Sequence, residues 1–238
     1  MTRAALLYSL AAAGANILGA VAVTSRTDWS VRALDAMLSL AAGFLISVSL
    51  IDLFPQAIAL GGARAPAVAL LAYLLVHLTQ HTIGRHFHFG EETHEVSRIV
   101  SVSALVGLLM HTFVDGVAVA SGLRVSSRLG ALVFVAVLLH KFPEGLAISS
   151  LFLAAGASRS RALLAAAALG VTTVIGVMLT DQLELLRVYG LAISAGVTMY
   201  VAASNLVPEF QDQPGLRIPL SFVAGCALYF VARSVAPV

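Results

Sequence analysis

Cysteine is all but missing from this chain. The one present, Cys226, lies in an apolar run and has no second thiol to pair with, so an intrachain disulfide is excluded. Charge is scarce too. Asp, Glu, Lys and Arg make up 11% of the 238 residues, where a soluble domain carries about 25%. With 59% hydrophobic residues and a mean hydropathy of +0.95, this shortage excludes an ordinary soluble domain and describes an integral membrane protein. Neither sign of charge dominates. The formal net charge is +2 and the sequence pI near 9.0 rests on few groups, so there is no basic surface for nucleic acid. No signal-peptide cleavage pattern is evident, and the first apolar run, Ala4–Val23, is long enough to span a bilayer. Polar stretches long enough for a soluble domain between the spans are also lacking.

The apolar residues fall into eight segments. They run roughly Ala4–Val23, Ala33–Leu60, Ala67–Gly84, Ile99–Gly122, Leu129–Ala155, Ala162–Thr180, Val188–Val207 and Leu216–Ala232. A spanning helix needs about 20 residues, so the expectation is an all-α membrane protein of eight transmembrane helices forming one domain over residues 1–238. An even number of spans puts both termini on one side. Seven arginines flank one side and six the other, which sets no orientation by the positive-inside rule. A short loop at 85–97 holds His86, His88, His94 and three glutamates. It is a candidate for weak metal binding.

Two motifs inside apolar runs carry the chemistry. They are His111-Thr-Phe-Val-Asp115-Gly116 and His140-Lys-Phe-Pro-Glu144-Gly145. In each, an imidazole and a carboxylate stand four residues apart, on one face of a helix. Two such helices side by side converge two imidazoles and two carboxylates on one point, a four-ligand site for a divalent transition metal. A carboxylate at mid-membrane costs about 2.5–3.5 kcal/mol on insertion scales, and a bound dication offsets much of that. Without thiolates, the donor set suits zinc, iron(II), manganese or cadmium better than copper(I). Pro143 cannot donate to the carbonyl of Leu139, so the fifth helix is expected to bend or open beside His140. Gly116 and Gly145 permit close helix approach.

An internal repeat is visible at an offset of 153 residues, in which Gly43, Asp52, Leu53, Pro55 and Gln56 align with Gly196, Asn205, Leu206, Pro208 and Glu209. These segments, the second and the seventh, must cross in opposite directions. The pattern predicts an inverted repeat of helices 1–3 and 6–8 around the central helix 4/5 pair, a transporter arrangement. Asp52, an acid within a span, is a candidate pathway residue by default, with Asn205 and Glu209 as its weaker companions. His77 reads as a helix–helix hydrogen-bond partner. The residues leave an intramembrane zinc hydrolase as the rival function, because it too would use His and carboxylate ligands on membrane helices. Such an enzyme needs an open coordination position and a separate general base, and four ligands look saturating. A membrane-bound metal sensor is a third reading, resting only on the His-rich loop.

At these motifs the chain resembles the ZIP (Zrt/Irt-like) family of divalent metal transporters. The H-x-x-x-[D/E]-G motif of the fourth span and the H-x-x-P-E-G motif of the fifth are matched by His111…Asp115-Gly116 and His140…Pro143-Glu144-Gly145. Pro55-Gln56 and Tyr200…Pro208-Glu209 match as well. The resemblance implies a multi-pass protein, here expected in a bacterial inner (plasma) membrane, with both termini outside. It implies a homodimer that moves zinc, or Fe2+, Mn2+ or Cd2+, toward the cytoplasm by alternating access, with no resident cofactor and no enzymatic activity. His111, Asp115, His140 and Glu144 would line the transport site. Two departures stand out. Lys141 occupies a place where many members have an acidic or polar ligand for a second ion, and the sixth segment lacks the acid that some contribute. A mononuclear site follows, with Lys141 as counter-charge and second-site blocker.

Overall fold

The computed structural model describes residues 3–25, 31–82, 98–207 and 215–235, and among these every regular element is helical. The helices are α1 (Arg3–Ser25), α2 (Val31–Val48), α3 (Ala65–Thr82), α4 (Arg98–Val125), α5 (Ser127–Ala154), α6 (Arg159–Thr180), α7 (Glu184–Tyr200) and α8 (Arg217–Val235). α2 continues through a π turn, Ser49–Leu53, into a short helix, Phe54–Gly61. α7 continues into a second π turn, Val201–Leu206. Seven helical runs among the described residues are long and apolar enough to cross a membrane. The expected count of eight differs because one run, Asp35–Thr79, has 45 residues and takes in both the second and third segments. Gly62 joins them with φ 61°, a left-handed conformation that glycine adopts without a Cβ penalty.

Boundaries differ from the sequence expectation mainly at α7, which starts at Glu184 rather than Val188. Its first turn is polar because Glu184 and Arg187 pair on an exposed face, an i,i+3 arrangement compatible with helix. Ser126 caps α5 by accepting from the Leu129 N–H at 3.1 Å, and Ser158 caps α6. α5 runs unbroken through Pro143, so the expected opening beside His140 does not interrupt the helix. The π turns occur elsewhere, each ending two residues before a proline in the sequence. Phe54 N–H reaches the Ser49 carbonyl and Val207 N–H reaches that of Ala202. A proline ring crowds the carbonyl four residues back and offers no N–H, and widening the turn by one residue relieves both.

Packing sorts the helices into two groups. α1, α4, α5 and α6 pack on one another, α2 packs on α8 and α3 on α7, and the groups meet along α4/α7 and α2/α5. Close approaches occur at glycines. A Cβ on Gly43 would overlap the Phe222 carbonyl, and one on Gly196 would overlap that of Ala69; the two contacts are related by the 153-residue offset. In the same way Gly145 abuts Asn16 of α1, Gly19 abuts Phe142, Gly116 abuts Thr173 of α6, and Gly176 abuts Phe113. The motif glycines thus bring each central helix against an outer one, which small residues allow.

Large apolar side chains such as Leu7, Leu71, Leu164 and Leu220 are exposed on the outer faces, as suits a hydrocarbon solvent. Many hydroxyls are satisfied by their own helix. Thr24, Ser47, Ser150, Thr172 and Thr180 each donate to the carbonyl four residues earlier.

Candidate metal site

The i,i+4 spacing on two neighbouring helices brings the four predicted ligands together. His111 and Asp115 come from α4, and His140 and Glu144 from α5. One donor atom from each can be chosen so that all lie within 4.8 Å of one another, and all four residues are buried. His111 Nε2 stands 3.4 Å and His140 Nε2 3.3 Å from Asp115 Oδ2. Ligands about 2.0–2.1 Å from a tetrahedral zinc are separated by about 3.3–3.4 Å along each edge, so these two spacings match the edges of such a shell. The imidazoles lie with ring centroids 5.3 Å apart.

The hydrogen bonds prepare the donors. His140 Nδ1 lies 2.8 Å from the Ala136 carbonyl on its own helix. The carbonyl can only accept, so Nδ1 carries the proton, and in the neutral ring the Nε2 lone pair then faces Asp115, the orientation that metal-binding histidines use. In that tautomer Nε2 and Oδ2 are two acceptors at 3.3 Å, an arrangement that calls for a cation between them. Neither ring nitrogen of His111 has a hydrogen-bond partner, nor does Glu144 Oε1. Unpartnered polar atoms at such depth are costly, and a bound ion would use Glu144 Oε1 and the one ring nitrogen of His111 that carries no proton.

Lys141 lies inside the cluster, at 0% exposure. Its Nζ is 2.6 Å from Asp115 Oδ2 and 2.6 Å from Glu144 Oε2. The expectation of a counter-charge to one carboxylate understates this, since one ammonium bridges both. With neutral imidazoles the site is one unit negative before a dication enters and one unit positive after, if the ammonium stays.

A family model for ZIP zinc transporters matches residues 76–232. The chain belongs to the ZIP family. No curated protein matches the chain. ZIP proteins are membrane transporters of divalent metal ions, not enzymes, and the seven apolar helical runs and the buried ligand cluster fit a multi-pass member. The matched range begins near the end of α3 and includes both motifs, while Pro55-Gln56 lies outside it.

The other candidates stand apart from the four. Asp52 sits in the π turn of α2, where Tyr229 OH donates to Oδ2 at 2.5 Å and Arg233 approaches Oδ1 at 3.5 Å. Arg128, at the start of α5, donates to the Arg233 carbonyl. Sequence reasoning did not single out Tyr229 as the partner of Asp52, because the two are 177 residues apart. Asn205 falls in the second π turn. His77 of α3 lies edge-on to Tyr200 of α7, with centroids 5.9 Å apart, a ring contact between the two helices. Glu209 and the loop residues His86, His88 and His94 lie outside the described residues.

Proposed function

We propose that this ZIP protein carries divalent transition-metal ions, zinc foremost, toward the cytoplasm by alternating access through one site built from His111, Asp115, His140 and Glu144. The observation that carries the reading is the convergence of four buried donor atoms within 4.8 Å between α4 and α5. Imidazole and carboxylate donors admit Fe2+, Mn2+ and Cd2+ as further cargo. Lys141 holds the site to one ion, because its ammonium lies on both carboxylates that a second ion would need. A hydrolase would require a general base beside the metal. Both carboxylates here are ligands and the nearest additional group is a lysine engaged with them.

The fold reading is eight crossings with an inverted repeat, in one domain over residues 1–238, both termini outside, in a bacterial inner membrane and as a homodimer. The crossings are supported by helix directions. Ser49 meets Ala195 and Gly61 meets Tyr189, so α2 and α7 are antiparallel. Ala69 then meets Gly196 and Tyr73 meets Ser204, so α3 and α7 are parallel. The chain therefore reverses at Gly62. The repeat is supported by the paired π turns and the paired glycine contacts. Sliding of the α1/α4/α5/α6 group against the rest would expose the site to each side in turn. Asp52, Asn205 and Glu209 are pathway candidates, and His86, His88 and His94 form a loop that tunes flux.

Zinc uptake into proteoliposomes tests the site. His140→Ala and Glu144→Ala are expected to lose uptake by at least tenfold in correctly folded protein, and wild-type uptake in both would sink the reading.

A further inference from the structure

We infer that Asn16, on α1, belongs to the metal site and contributes a neutral carboxamide oxygen as a fifth donor, expanding the shell of the bound ion beyond the four tetrahedral ligands. The inference rests on the metal-transport reading above. Asn16 has 0% exposure, yet neither Oδ1 nor Nδ2 has a hydrogen-bond partner. A carboxamide left without partners inside a membrane bundle is unfavourable. Nearby hydroxyls avoid that state by bonding back to their own helices, as Thr24 and Ser9 of α1 do. Asn16 does not.

Its position says what the group is for. The backbone of Asn16 is in contact with Gly145, the residue directly after Glu144, and Gly19 is in contact with the Phe142 carbonyl. Asn16 therefore stands against the turn of α5 that carries His140, Lys141 and Glu144. On that turn, Glu144 Oε2 is held by Lys141, while Oε1 is buried and unpartnered, as are both ring nitrogens of His111. Glu144 and His111 thus keep orphaned polar atoms beside the turn against which the backbone of Asn16 packs, and a dication accepts lone pairs from oxygen and nitrogen together.

Packing alone does not require an amide here. The equivalent contact in the other motif is Gly116 against Thr173 of α6. Thr173 is equally buried, but its hydroxyl donates to the Leu169 carbonyl at 3.2 Å. The position can be filled by a residue whose donor is satisfied by its own helix, so the unpartnered carboxamide of Asn16 is surplus to the helix contact. A neutral oxygen also adds a ligand without adding charge to a site already holding two carboxylates and an ammonium.

The test is titration of Zn2+ alone, and separately Cd2+ alone, into purified full-length protein, by calorimetry and by the metal-induced shift in melting temperature. Asn16→Ala and Asn16→Leu are expected to weaken affinity by about tenfold or more, the scale seen when groups supporting a metal are removed. Asn16→Leu should at the same time raise the melting temperature of the metal-free protein, because an apolar side chain of similar size replaces an orphaned amide. Asn16→Asp, which keeps an oxygen in place, should bind at least as tightly as wild type. Wild-type affinity in both apolar variants overturns the proposal. So does lost binding in Asn16→Leu accompanied by a lower metal-free melting temperature, the mark of a residue that only holds the helices together. If the wild-type protein binds neither ion, the four-ligand site itself falls, and the part of Asn16 falls with it.

Discussion

Lys141 places its ammonium on two carboxylate oxygens that a divalent ion in the proposed site would also need. Its ammonium, fully buried, touches Asp115 and Glu144 at 2.6 Å each. In the metal-free protein it balances carboxylates that would otherwise be buried without a partner, a loss that costs about 3–5 kcal/mol in known cases. When a dication arrives, the same ammonium repels it. Lys141→Met keeps most of the volume and removes the charge. The expected outcome is opposite in the two states: the metal-free protein melts at lower temperature, and zinc binds more tightly and restores the loss. Calorimetry and melting curves with and without zinc check this, and unchanged affinity would show that the ammonium does not compete. Lys141→Asp should instead raise the metal content from one ion to two, read by elemental analysis of purified protein.

At the scale of elements, the ligand geometry depends on glycines that carry no chemistry. Gly145 lets α5 rest on α1 at Asn16, and Gly116 lets α4 rest on α6 at Thr173. A methyl group at either position meets backbone rather than a side chain that could turn away, so the helices must separate. Gly145→Ala is expected to destabilise the fold by about 1–3 kcal/mol, the usual range for overpacking, and to weaken zinc binding by displacing Glu144. Gly14→Ala is the control, since nothing lies within 4 Å of a Cβ there. It should be neutral or stabilising by up to about 1 kcal/mol, because alanine is the better helix former. Unfolding in mixed detergent micelles measures both. Equal stability of the two variants would show that the close approach is not needed.

At the scale of the molecule, the proposed alternating access requires the two helix groups to slide. They meet where Ser121 and Val117 of α4 face Gly190 of α7, and a Cβ on Gly190 would touch the Ser121 hydroxyl. Ser121→Cys with Gly190→Cys, in a Cys226→Ser background, puts two Cβ atoms about 3.5 Å apart, close enough to join. Oxidation should then abolish metal flux while leaving zinc binding, and a reductant should restore flux. Full flux through the cross-linked protein would rule out sliding along this seam.

The i,i+4 spacing of each motif decided by itself that His111 and Asp115, and likewise His140 and Glu144, share a helical face, because helical period is a local property. Apolar run length decided the segments, and Pro55 and Pro208 marked where α2 and α7 depart from regular helix. The donor set selected the class of ion through the absence of thiolates. Tertiary structure alone decided the rest. That one lysine bridges two carboxylates depends on how α4 and α5 rotate against each other, which neither helix encodes separately. The partners of Asp52 and the contact of Asn16 with Gly145 join residues far apart in the chain, so no local pattern carries them. Burial without a partner, the property that distinguishes Asn16 from the hydroxyls around it, exists only once neighbouring helices have closed over the side chain and excluded water.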